Sequence, residues 1–424
     1  MAGHAVAINT ISDLSKAYKR STTKLYRTYT RRVPEYRWMD EVPAEEIIPS
    51  GRENLIPLDT AKGFGAHQAT DGGYEGRTES PVPTEGSFTY NHTNARFLIT
   101  LRAQAFDKAG RSNFIIRQIK WQSIKCIEAV MRKYGFMFYG FSTGVLCKVD
   151  GDPGGSAASH TLTLKDAFGL STLDNFAYLA SMFVVDEGVA LIRSAALVSN
   201  GIGVVTAVTP ATPSIGVTWV PGSADPADGD EIVYANGVTG ATIDETDYNK
   251  WNVGLFDANA STSVHGVSKS TEPTWDSALY NTDGGSFDFV KVKAIRQALE
   301  NNGDTTLRRI IYANGVETDF QATERQALQW TNSGQMNVDA NVSAKGVDFR
   351  TSRFTPPTCA FGMGADYFGK SVITEKPGED DMIDFGKLYK AEDRSALKGG
   401  VDMICANIVR SRARGTLHTG LNEQ

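Results

Sequence analysis

Pro49-Ser-Gly-Arg-Glu-Asn-Leu-Ile-Pro-Leu-Asp-Thr-Ala-Lys-Gly-Phe-Gly-Ala-His-Gln-Ala-Thr-Asp-Gly-Gly-Tyr-Glu-Gly-Arg-Thr-Glu-Ser-Pro-Val-Pro-Thr-Glu-Gly-Ser87 holds seven glycines and four prolines. That share of Gly and Pro opposes a packed core of its own. Connections this long inside a compact domain are usually functional or disordered. This one also carries Leu55, Ile56, Leu58, Phe64 and Tyr74, apolar groups that a purely solvated linker does not need. A partner surface that buries them is the expectation. A strongly patterned segment follows, in which Phe114, Ile115, Ile119, Ile124, Ile127, Val130, Met131 and Tyr134 recur at three- and four-residue spacings. It predicts an amphipathic helix over 112–134, about 34 Å long, with Ser112 as N-cap and Gly135 as its stop. A loose arm beside a rigid rod describes a chain built to reach neighbours.

The wider composition favours a β-rich, loop-rich architecture, which together with the patterned helices gives an α+β fold class. Charged residues make up 22% and hydrophobic ones 41% of 424 residues, and the 41 glycines exceed the usual share. No run of apolar residues reaches the length that crosses a bilayer, and the first residues lack a secretory layout, so a chain folded in a cytoplasm is expected. Cys126, Cys147, Cys359 and Cys405 lie far apart and read as separate buried thiols. The net charge of −6 is uneven: residues 1–37 carry eight cations and two anions, a basic arm on an acidic body. Lys16, Lys19, Arg20, Lys24, Arg27, Arg31 and Arg32, interleaved with tyrosines, suit either nucleic acid or an acidic scaffold, or else a solvated helix.

Between arm and rod, 94–106 alternates around Phe97, Ile99 and Leu101 as a half-buried strand does. Beyond the rod, 136–149 reads as strand and 163–183 as helix. Residues 201–240 are short Val/Thr runs broken by Gly and Pro, which predicts a small inserted β-barrel or meander. Helices are expected at 287–300 and 316–330, with a buried strand at 309–313 and mostly strands thereafter.

Chemical motifs are few. Gly364-Ala-Asp-Tyr-Phe-Gly369-Lys370-Ser371 satisfies the phosphate-loop spacing, yet Pro377 follows too closely for the helix such a loop needs, so a glycine-rich hairpin is expected. Six dispersed histidines form no metal motif, and no nucleophile elbow or dinucleotide fingerprint appears. Asp225, Asp228, Asp230 and Glu231 lack the spacing of a calcium loop and read as a solvated turn. The sequence therefore points to no enzyme, cofactor or metal.

The order of basic arm, Gly/Pro-rich loop, strand, long helix, β-rich middle and terminal strands resembles the major capsid protein of tailed double-stranded DNA phages, with the Hong Kong 97-type fold. Trp251-Asn-Val-Gly-Leu-Phe256, Val264-His-Gly-Val-Ser-Lys-Ser270 and Glu272-Pro-Thr-Trp275 add to the likeness. The resemblance implies an N-arm at 1–48, an E-loop at 49–93, and a peripheral domain at 94–159 with its spine helix at 112–134. It further implies an axial domain at 160–355 with an inserted β module at about 201–250, and returning strands at 356–424. It implies a structural chain of the virion that self-assembles, in the host bacterial cytoplasm, into pentamers and hexamers of an icosahedral head around double-stranded DNA. Scaffolding, portal and decoration proteins would be its partners, with no membrane. Leu55, Ile56, Leu58, Lys62, Phe64 and Tyr74 of the E-loop would make inter-subunit contacts, and the seven arm cations would meet DNA or scaffold. Relatives that begin with a scaffolding segment of about a hundred residues differ from this chain, which implies a separate scaffold or the mature form. Lys62 lacks an assignable asparagine partner for crosslinking. The rival reading is a β-rich surface binding or adhesin module that recognises its ligand through 201–240.

Overall fold

The computed structural model describes residues 33–50, 53–60, 84–100, 113–171, 173, 176–220, 222–235, 242–303, 305–329, 347–372, 383–385, 389–390 and 396–423. The chain divides into two compact units. One comprises residues 1–39, 90–136 and 370–406, and the other residues 40–89, 137–369 and 407–424.

In the first unit, strand Asn91–Thr100 runs antiparallel to the long strand Ala396–Val409, in register from Asn91 opposite Cys405 to Thr100 opposite Ala396. Two short strands, Ile383–Phe385 and Tyr389–Lys390, also pair antiparallel with the long strand. Val401, Met403 and Cys405 are buried at the two-residue period of a sheet face. Asp402, pointing the other way, takes a bidentate pair from Arg96 at 2.6 and 2.7 Å and a third contact from His92 at 2.8 Å. Gly400 lies opposite Arg96, and a Cβ there would collide with the Arg96 side chain, so glycine permits the crossing.

The predicted rod is a helix, Asn113–Tyr139, of 27 residues and about 40 Å. Ser123, Cys126, Ile127, Val130, Met131 and Tyr134 form its buried row. Gly135 does not stop it. Phe136, Met137, Phe138 and Tyr139 are all buried, and that apolar area outweighs the roughly 1 kcal/mol that a glycine costs inside a helix. The expected strand over 136–149 shrinks accordingly to Cys147–Val149.

The second unit contains a closed six-stranded barrel made of Cys147–Val149, Ser159–Lys165, Gly188–Arg193, Ala196–Thr209, Ser214–Trp219 and Glu231–Tyr234. It begins well before residue 201. The segment read as helix from 163 supplies strand Ser159–Lys165, in which His160, Leu162 and Leu164 are buried while Ser159, Thr161 and Thr163 are exposed. Among the described residues there, the α-helix is Phe176–Ser181, preceded by a short 3-10 turn at Ala167–Gly169. Asp166 and Phe168, both at positive φ, turn the chain out of the strand.

A five-stranded sheet follows, in the order Leu279–Asn281, Gly415–His418, Ala360–Gly364, Leu307–Tyr312, Asp348–Thr351, parallel at both edges and antiparallel within. Helices Phe289–Asn302 and Asn314–Gln329 match the expected pair, the first capped by Asp288 accepting from the Lys291 N–H at 2.9 Å. Phe287, Val292, Ile295, Leu299, Ile310 and Phe320 fill the core between helices and sheet. Residues 364–371 are no phosphate loop. Strand Ala360–Gly364 passes through a turn into strand Phe368–Val372, so Ser371 and Val372 are extended strand rather than the first turn of a helix. The two strands lie in different sheets, so the expected hairpin is absent as well.

Candidate functional site

The Gly/Pro-rich stretch of the opening folds at its base. Strands Ile48–Ser50, Glu53–Leu58 and Thr84–Phe88 form an antiparallel three-stranded sheet, with Ile48 opposite Leu55, Asn54 opposite Phe88 and Leu58 opposite Thr84. Residues 61–83, including Lys62, Phe64 and Tyr74, lie outside the described residues, as do Lys16, Lys19, Arg20, Lys24, Arg27, Arg31 and Arg32. Ile56 and Leu58 are buried by this chain itself, and Leu55 is half-buried. The expectation that Ile56 and Leu58 await a neighbour therefore changes: they anchor the hairpin to its own subunit.

The anchor centres on His265. In the two-residue turn between strands Ser263–Val264 and Val267–Ser268, His265 and Gly266 both adopt positive φ. The His265 carbonyl accepts the Ser87 N–H at 2.9 Å, and its Nε2 accepts the Val409 N–H at 3.0 Å. One residue thus ties a hairpin strand to the end of the long strand. An acceptor at Nε2 places the ring proton on Nδ1. Burial holds the imidazole well below its ordinary value, at about 4. Phe88 meets the ring edge-on at 6.4 Å, and Gly86 makes room for Leu58, whose side chain would clash with any Cβ there. Asp59 extends the anchor, donating its N–H to the Arg410 carbonyl at 3.0 Å and taking an ion pair from Arg414 at 2.9 Å. Thr274 donates to the Thr60 carbonyl, and Arg410 pairs with Glu46.

Sequence reasoning misses Arg412. Its side chain is fully buried and donates to the carbonyls of Ala258 at 2.8 Å, Ser261 at 2.7 Å and Trp275 at 3.4 Å. Ala258 and Ser261 close the helix Leu255–Ala260, where a cation suits the exposed carbonyls. Nothing in Ser411-Arg412-Ala413-Arg414 distinguishes the buried arginine from its half-exposed neighbour Arg414.

At the barrel, a cavity of about 480 Å³ is lined by Lys148, Arg193, Asp228, Asp230, Glu231 and Tyr248, among others. Asp230, expected in a solvated turn, is buried and accepts two bonds from Arg193 at 2.7 and 2.8 Å; Asp228 pairs with Lys165 at 2.5 Å. These carboxylates are neutralised by arginine and lysine, and no group of three or more metal-ligating side chains occurs among the described residues. Barrel packing also uses His160, whose Nδ1 accepts from Trp219 Nε1 at 2.8 Å while Nε2 donates to the Gly155 carbonyl at 2.9 Å. All four cysteines are buried free thiols, and burial pushes Cys126 up to about 11. No described helix is long and apolar enough to cross a membrane.

No protein-family model matches the chain, and no curated protein matches it in sequence. Solved structures do match. A capsid chain of cyanophage A-1(L) aligns over 93% of this chain and 92% of its own, with 11% identity and a TM-score of 0.50. The capsid of a native GTA particle aligns over 91% and 89%, at 10% identity and a TM-score of 0.43. A chain from the satellite phage P4 procapsid, a structure that includes the size determination (Sid) protein, aligns over 95% and 91%, at 10% identity and a TM-score of 0.40. On the first of these likenesses, this chain has the fold of a phage capsid chain.

Proposed function

We propose that this chain is the major capsid protein of a tailed double-stranded DNA phage, a structural rather than catalytic protein that assembles into an icosahedral head. The observation that carries the reading is the end-to-end correspondence with the cyanophage capsid chain, 93% of one length against 92% of the other. A shared module within an unrelated protein would align over only part of either chain.

In this reading residues 1–48 are the N-arm, 49–93 the E-loop, 94–159 a peripheral domain with its spine helix, 160–355 the axial domain, and 356–424 the returning strands. The hairpin rooted on His265 then serves as the E-loop base. Beyond it, Lys62, Phe64 and Tyr74 reach a neighbouring subunit, while Leu55 contributes its half-exposed side. The arm cations meet DNA or a scaffolding protein, and portal and decoration proteins complete the particle. Assembly takes place in the host cytoplasm.

The test is cryo-electron microscopy of the chain expressed alone and with the scaffolding proteins of its own genome. Closed shells of pentamers and hexamers are the expected result. A chain that stays monomeric under every condition overturns the reading.

A further inference from the structure

Five charged side chains line the cavity beside the barrel, Lys148, Arg193, Asp228, Asp230 and Glu231, and four of them already have partners. Lys148 donates to the Gly169 carbonyl at 3.2 Å and lies 3.8 Å from Asp166. Arg193 is held by Asp230, and Asp228 by Lys165. Glu231 stands apart: among the described residues its carboxylate has no hydrogen bond or ion pair. It is nonetheless half-buried, and burial pushes its carboxyl above the usual range, partly offset by the Lys148 charge.

The fold fixes where that carboxylate sits. Glu231 is the register partner of Lys148 across the neighbouring strand, so both side chains share one face of the barrel wall. Tyr248 packs beside that face, against the cluster of Val145, Ala190, Ile192 and Val233. Burial, and after it the Glu231 charge, hold its phenol above the usual range. Ser194 and Ala195, which also line the cavity, form the two-residue turn between strands Gly188–Arg193 and Ala196–Thr209, with φ of 51° and 61°. Such a turn ordinarily takes Asn-Gly. Non-glycine residues held in that conformation are strained, and strain of this kind collects at ligand clamps.

We propose that this cavity binds a small organic cation, an ammonium or guanidinium group on an alkyl stem, whose N–H donors go to the Glu231 carboxylate and the hydroxyls of Tyr248 and Ser194. The site goes beyond the capsid reading and does not depend on it. Charge selects the sign of the ligand, because the one lining charge without a partner is negative. An anion would have to take Arg193 from Asp230, or Lys148 from Asp166 and the Gly169 carbonyl. A divalent metal ion wants several oxygen ligands, and Lys165 and Arg193 already occupy Asp228 and Asp230. An N–H donor needs only one carboxylate and the two hydroxyls. Ala195, Ala227 and the Tyr248 ring give the stem apolar surface, and an aromatic face attracts a cation. At about 480 Å³ the cavity has the size of a small-molecule site.

The experiment is equilibrium dialysis of the full chain at neutral pH against radiolabelled agmatine, which carries a guanidinium at one end and an ammonium at the other. Saturable binding to a single site per chain is expected. Glu231→Gln keeps the shape and removes the charge, and should weaken binding at least tenfold. Tyr248→Phe should weaken it a few-fold. Asp186→Asn removes an equal charge from an exposed position outside the cavity, at a positive φ that asparagine tolerates, and should leave binding unchanged. Undiminished binding in Glu231→Gln, an equal loss in Asp186→Asn, or no saturable binding up to millimolar agmatine overturns the proposal. Circular dichroism checks that each variant folds, and the parent chain supplies a test of its own. Unlabelled putrescine should displace agmatine, whereas displacement by the uncharged 1,4-butanediol, or by inorganic phosphate, overturns the proposal. A capped glycine-arginine-glycine peptide that competes as well as agmatine assigns the cation to a partner protein's side chain; competition by putrescine but not by the peptide assigns it to a free amine. Shell formation is read separately, so a failure here leaves the capsid reading standing.

Discussion

Arg412 shows how much one side chain can hold. A guanidinium taken fully out of water is stable only when its donors are satisfied, and here three backbone carbonyls serve, with Asp276 at 3.9 Å contributing charge. Truncation to alanine removes every donor and leaves a hole at the end of helix Leu255–Ala260. Arg412→Ala should therefore destabilise the subunit by on the order of 3–5 kcal/mol in urea unfolding, and Arg412→Lys should recover part of it, because an ammonium lacks the planar fork. His265 sets a pH limit at the same scale. Its folded value lies near 4, below the usual 6.5, so the unfolded chain takes up the proton first. Its contribution is complete above about pH 6.5 and drains away as pH falls toward 4, on the order of 3 kcal/mol in all. His418, likewise pushed down to about 4 by burial and by Lys291, acts in the same window. His265→Asn keeps a residue that tolerates positive φ but removes the imidazole. The variant should be less stable than the parent at pH 7, and its urea midpoint should fall less steeply between pH 6.5 and 4.5.

At the scale of elements, legibility follows periodicity. The rod and the helices near 289 and 314 are visible because apolar residues recur every three or four positions over several turns. The strand at 159–165 escapes because Leu164 and Phe168 mimic a helical pair; Asp166 and Phe168 at positive φ break that pair, and nothing in their identity announces it. Gly135 misleads in the opposite sense, since burial of the aromatics after it decides the helix and burial is a tertiary fact. The barrel's texture is legible but its extent is not, as Cys147–Val149 and Ser159–Lys165 join it from an earlier part of the chain. Helix Leu255–Ala260 depends on backbone meeting backbone: a Cβ on Gly254 would run into the carbonyl oxygens of Met137 and Gly140 at the end of the long helix. Gly254→Ala must push these segments apart. A destabilisation of about 1–3 kcal/mol is expected, read as a lower thermal midpoint, and an unchanged midpoint would show that the backbone yields freely there.

For the whole molecule, the hairpin poses the sharpest question, because its root is finished within the subunit while its outer part is long and rich in glycine. Ordering 23 residues, 61–83, costs about 1–2 kcal/mol each in backbone entropy, and apolar burial returns only about 25 cal/mol per Å². In the proposed capsid reading, the apolar Phe64 and Tyr74 offset that cost against a surface supplied by another copy. The root needs no such help: Ile56, Leu58 and Phe88 are buried, and His265 and Asp59 complete its hydrogen bonds. Replacing residues 61–83 by a short Gly-Ser turn should therefore leave the thermal midpoint of the isolated subunit within about a degree or two of the parent. Assembly should fail or yield shells that fall apart on dilution, as judged by light scattering and electron microscopy. If the replacement unfolds the subunit, the outer hairpin belongs to the chain's own core. If shells of normal stability form, the contacts between copies lie elsewhere.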